Sequence, residues 1–121
     1  METSKSSEDY LETILILSER LPVVRSVDIA NELGFKKSSI SVAMKNLRAD
    51  DYITVTPQGY IYLTESGMKI AKTMLERHEF LSQWLISLGV DENTATEDAC
   101  RIEHDISEAT FEAMKAFISE K

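Results

Sequence analysis

Apolar residues recur at helical spacing from the start of the chain. In S-S-E-D-Y-L-E-T-I-L-I-L-S-E-R-L, Tyr10, Ile14, Leu17 and Leu21 fall at i, i+4, i+7 and i+11, which predicts an amphipathic helix. Ser6 or Ser7 is placed to cap it, and Pro22 ends it. A short helix, V-D-I-A-N-E-L, follows, with Ser26 as its cap and Gly34 as its stop. Beyond the turn G-F-K-K-S-S, a third helix turns Ile40, Met44 and Leu47 inward and leaves Ser39, Ser41, Lys45 and Arg48 outside. This is the plan of a helix-turn-helix. Next, Y-I-T-V-T and Y-I-Y-L flank P-Q-G, which predicts a β-hairpin, and a hairpin in that place is a wing.

Thr64 opens a long helix that runs to Gly89. Ile70, Met74, Leu81, Leu85 and Leu88 form one stripe on it, and Phe80 and Trp84 form a neighbouring one. Asp91 and Ser107 open two more helices. The pattern therefore predicts a mainly α chain in two parts. Residues 1–66 form a winged helix-turn-helix with a small β-hairpin wing, and residues 67–121 form a helical domain. The last helices carry more apolar surface than one small layer covers, which predicts a homodimer interface.

Composition narrows the class. The chain has 121 residues, 43% of them hydrophobic, with few Gly and Pro, so it is long enough for a real core. No basic, apolar leader opens it, and no stretch approaches the ~18 apolar residues of a membrane span. Its single cysteine, Cys100, cannot form an internal disulfide. These features lead us to expect a cytoplasmic protein without a membrane.

The formal net charge of -8 argues against nucleic acid, but its distribution argues for it. Between Lys36 and Arg48 lie Lys36, Lys37, Lys45 and Arg48, and no acid. Those cations suit phosphates. Ser38, Ser39 and Ser41 suit phosphate and base-edge hydrogen bonds, and Tyr60 on the wing can reach the backbone. The sequence thus predicts a double-stranded DNA partner.

Cys100, Glu103 and His104 fall at i, i+3 and i+4, on one helical face. Thiolate, carboxylate and imidazole are donors that a borderline divalent metal selects. Asp9 and Glu12 repeat the i, i+3 spacing on the first helix. Each feature also has a plainer reading: a small core cysteine, a solvated Glu-His pair, acids favouring a helix N-terminus. Enzyme signatures are lacking, with no Gly-rich phosphate loop, no G-x-S-x-G and no H-E-x-x-H, so no catalysis and no small organic substrate are expected.

The segments S-E-D-Y-L-E-T-I, L-T-E-S-G after the wing, E-R-H-E-F-L and A-C-R-I-E-H-D-I-S-E resemble the diphtheria toxin repressor and manganese transport regulator family of metal-dependent repressors. The resemblance runs from about Ser6 to Ile118. It implies a winged-helix DNA-binding domain and a helical metal-binding and dimerisation domain, with metal at their junction. It places Asp9, Glu12, His78, Cys100, Glu103 and His104 at family ligand positions. It also implies a repressor that binds a palindromic operator as a dimer and controls metal-homeostasis genes.

The match is a hybrid. Iron-type members carry Met and Cys at the positions of Asp9 and Cys100, and manganese-type members carry Asp and Glu. The cofactor implied is thus Mn(II) or Fe(II), with Co(II), Ni(II) or Zn(II) in vitro. Ser82 and Thr96 replace iron-type second-site ligands, whereas Glu12, His78 and Glu103 keep a manganese-type one open. The SH3-like third domain of iron-type members is not expected. Two other readings of the same residues remain: a winged-helix protein–protein adaptor, and a DNA-binding regulator switched by oxidation of Cys100.

Overall fold

A computed structural model describes residues 4–119, except for the side chain of Ser119. Among the described residues, six helices and one hairpin run in the order α1 (Lys5–Arg20), α2 (Ser26–Leu33), α3 (Lys37–Ala49), β1 (Ile53–Val55), β2 (Ile61–Leu63), α4 (Glu65–Ser87), α5 (Glu92–Asp105) and α6 (Glu108–Ser119). The chain divides into two compact units between Thr73 and Met74, inside α4. Among the described residues no helix is long and apolar enough to cross a membrane.

The first unit is a winged helix. Its buried residues include Leu11, Ile14, Leu15 and Leu17 of α1, Ile29 and Ala30 of α2, and Ile40, Met44 and Leu47 of α3. The buried face of α1 centres on Leu11 and Leu15 rather than on Tyr10 and Leu21, which are half-buried. Leu21 lies past the last helical turn, in extended backbone, so the stripe ends before it. α1 also starts earlier than its serines suggest: Ser4 is the cap, and its side chain accepts from the Ser7 N–H at 3.1 Å. Ser26 is likewise inside α2, where Asp28 accepts from the Arg25 N–H at 2.9 Å. Gly34, at φ 70, closes α2 in the left-handed conformation that favours glycine.

In the wing, Ile53 pairs with Leu63, Thr54 with Tyr62 and Val55 with Ile61. Alternation turns Ile53 and Ile61 inward. Val24 adds a bridge to Ile61. Thr64 caps α4 by accepting from the Gly67 N–H at 3.2 Å.

The second unit holds the rest of α4 with α5 and α6. Met74, Leu81, Ala95, Ala99 and Phe111 are its buried apolar residues. Asp91 caps α5 by accepting from the Thr94 N–H at 3.0 Å, and Ser107 caps α6 by accepting from the Thr110 N–H at 3.1 Å. Leu88, assigned to the buried stripe by spacing, is exposed because α4 ends at Ser87.

Candidate metal centre and DNA-facing helix

α4 and α5 bring three ligand-type side chains together inside the second unit. His78 Nδ1 lies 3.0 Å from Glu103 Oε2 and 3.5 Å from Cys100 Sγ. Ligand atoms from all three lie within 4.8 Å of one another. Cys100 and Glu103 share a face of α5 one turn apart, as their spacing requires, and His78 faces them from α4. Cys100 is exposed, whereas the Glu103 side chain is only 1% exposed.

A buried carboxylate needs partners for its oxygens. Glu103 Oε2 has His78, but Oε1 is buried with no hydrogen-bond partner. His104 Nε2 lies 3.3 Å from Oε1. An orphaned buried carboxylate oxygen beside imidazole and thiol is a donor set with capacity for a divalent cation. The Cys100 thiol and the Glu103 carboxylate push the His78 imidazole up from 6.5 to about 10, against burial, which pulls it down.

Asp9 and Glu12 stand one turn apart on α1, in the first unit. Of the residues singled out from the sequence, the second unit thus gathers His78, Cys100, Glu103 and His104.

The sequence signals missed Arg77. Arg77 is buried, and its Nη1 donates to the carbonyl oxygens of Glu103 and Ile106, each at 3.0 Å. Its guanidinium lies 5.3 Å from the Phe111 ring centroid. One signal for it exists. Gly67, Ala71, Met74, Arg77 and Leu81 form the buried stripe of α4, and a charge on such a stripe demands a partner.

In the first unit, Lys36 precedes α3 and Lys37, Ser38, Ser39, Ser41, Lys45 and Arg48 lie along it, all exposed. Tyr60, half-buried at the foot of β2, is covered by Arg25, whose Cζ sits 5.0 Å from the ring centroid and whose Nη2 donates to the hydroxyl at 3.3 Å. Arg25, exposed at the start of α2, extends the basic surface and was not singled out because it lies outside the Lys36–Arg48 run.

Comparison with known proteins covers nearly the whole chain. Residues 2–61 match the family model described as iron dependent repressor, N-terminal DNA binding domain. Residues 64–120 match the one described as iron dependent repressor, metal binding and dimerisation domain. An uncharacterised HTH-type transcriptional regulator of Methanocaldococcus jannaschii is 37% identical over 117 residues, 95% of this chain and 94% of that protein. The HTH-type transcriptional regulator MntR of Bacillus subtilis is 38% identical over 105 residues, 87% of this chain and 74% of the relative. Among solved structures, the manganese regulator SloR superposes with a TM-score of 0.83 at 26% identity, covering 100% of this chain and 56% of that one. A manganese-dependent transcriptional repressor in complex with manganese gives 0.84 at 25% identity, covering 93% and 52%. The chain spans about half the length of these two solved proteins.

Proposed function

Because the chain belongs to the iron dependent repressor family, that of the diphtheria toxin repressor and the manganese transport regulators, we propose that it is a metal-responsive repressor acting as a homodimer on a palindromic operator. The observation that carries this reading is Glu103, a buried carboxylate with one oxygen that accepts no hydrogen bond, set beside two imidazoles and a thiol.

In this reading His78, Cys100, Glu103 and His104 hold the cation from the second unit. Asp9 and Glu12 are its ligands on α1, on the strength of their resemblance to family ligand positions. Mn(II) or Fe(II) is the physiological ion, and Co(II), Ni(II) and Zn(II) are in vitro substitutes. Bound there, an ion would supply positive charge that offsets the carboxylates. The soft Cys100 thiolate favours the later metals, and the hard Asp9 carboxylate favours manganese.

The partners follow from exposed surfaces. Trp84, Ala113, Met114, Phe117 and Ile118 line an apolar hollow in the second unit, suited to a second copy of the chain. α3 presents serines and cations without an acid, suited to a major groove. Two such helices in a dimer reach grooves about one turn apart.

The test is fluorescence anisotropy on a duplex selected from a random-sequence pool by the Mn(II)-loaded protein. Adding a chelator weakens binding if the reading holds. A protein–protein adaptor selects no duplex, and a thiol switch responds to oxidation but not to chelation.

A further inference from the structure

Glu103 is gripped at both ends by consecutive residues of α4. Its carboxylate faces His78, and its backbone carbonyl accepts from Arg77. α5 ends at Asp105, so the carbonyls of its last turn have no helical partner. Arg77 supplies one from another helix, donating to Glu103 O and, past the helix end, to Ile106 O, each at 3.0 Å. It also brings a cation to the negative end of the α5 dipole.

We infer that Arg77 is a positioning residue of the metal centre: by fixing the last turn of α5 it sets where the Glu103 carboxylate and the His104 imidazole stand relative to His78. This rests on the reading of the cluster as a metal centre. Two features separate it from ordinary core packing. Arg77 keeps its Nε buried without a hydrogen-bond partner, an arrangement that costs stability. Both of its hydrogen bonds go to the corner that carries Glu103 and His104. A fork from one nitrogen to two carbonyls fixes orientation as well as distance, which a single ammonium contact does not. Partners that orient metal ligands commonly change affinity ten- to a hundred-fold when removed.

The experiment compares wild type, Arg77→Met and Arg77→Lys, with Leu81→Ala as a control that loses buried apolar contact but no hydrogen bond. Co(II) affinity is measured by chelator competition, together with the thiolate-to-cobalt absorption of Cys100. Hydrogen exchange of the metal-free protein is followed across residues 104–108. Arg77→Met weakens Co(II) binding by about ten-fold or more, alters the cobalt spectrum and speeds exchange at the α5–α6 corner. Arg77→Lys recovers part of the affinity, and it carries the comparison alone if Arg77→Met does not fold. Leu81→Ala lowers the melting temperature and leaves affinity unchanged. If the Arg77 variants bind Co(II) as wild type does, or weaken it no more than Leu81→Ala, the positioning role is wrong. If wild type itself takes up no Co(II), the metal reading fails and the inference falls with it.

Discussion

His78 Nδ1 stands 3.0 Å from Oε2 of Glu103, a carboxylate almost wholly withdrawn from water. The same nitrogen lies 3.5 Å from Cys100 Sγ, so one imidazole edge meets two groups that carry negative charge when ionised. This contact makes the stability of the metal-free protein depend on pH through His78. In the folded chain His78 keeps its proton up to about 10, and in the unfolded chain it reverts to 6.5. The stabilisation is therefore complete below pH 6.5 and fades as pH rises towards 10. Thermal unfolding of wild type and His78→Gln in chelator, from pH 6 to 10, should show a wild-type advantage that shrinks with pH. A constant difference would mean that the pairing is absent.

Metal uptake must remove that proton. Calorimetry of Mn(II) binding at pH 7.5, in two buffers of different ionisation enthalpy, should show proton release that falls by about one per ion in His78→Gln. Release undiminished in the variant would assign the proton elsewhere.

In the proposed metal centre Cys100 is the soft sulfur donor among carboxylates and imidazoles. Cys100→Ser should remove the thiolate absorption of the Co(II) form. Cys100→Glu should move selectivity from Co(II) and Zn(II) towards Mn(II), read by competition between the ions. An unchanged order of affinities would remove Cys100 from the ligand set.

Gly67 lies on α4 where a Cβ would run into the carbonyl oxygen of Tyr52. Alanine ordinarily favours a helix over glycine by about 1 kcal/mol. Here Gly67→Ala should instead destabilise by about 1–3 kcal/mol, an overpacking cost, because the obstacle is backbone. Chemical denaturation checks the sign, and a stabilised variant would contradict the close approach.

Much of this fold is legible in the sequence because its signals are local. Thr64, Asp91 and Ser107 all cap the helices they precede. Ile40, Met44 and Leu47 are buried as their spacing predicts. The face shared by Cys100 and Glu103 also follows from helical period alone. What spacing could not give is the meeting of α4 with α5. His78 lies 22 positions from Cys100, and only the resemblance joined them. Arg77 escaped notice because its partners are backbone carbonyls, which leave no mark in a side-chain pattern. Ser6 and Ser26 misled because a residue that favours a cap also tolerates the first turn.

Lys45 and Arg48 are exposed on α3 and suit phosphates. Removing either by alanine should weaken duplex binding across sequences and reduce the logarithmic salt slope by about one. A loss confined to one base position would instead mark a base-reading residue.

In the proposed mechanism, metal bound through Glu103 controls DNA binding. This control is tested most directly by operator affinity of wild type and Glu103→Ala, each measured with saturating Mn(II) and with chelator at fixed salt. Wild type should gain ten-fold or more with the metal, the scale of a coupling of about 1–3 kcal/mol, and Glu103→Ala should gain nothing. Equal affinity of wild type in both conditions, or an undiminished response in Glu103→Ala, would contradict the account.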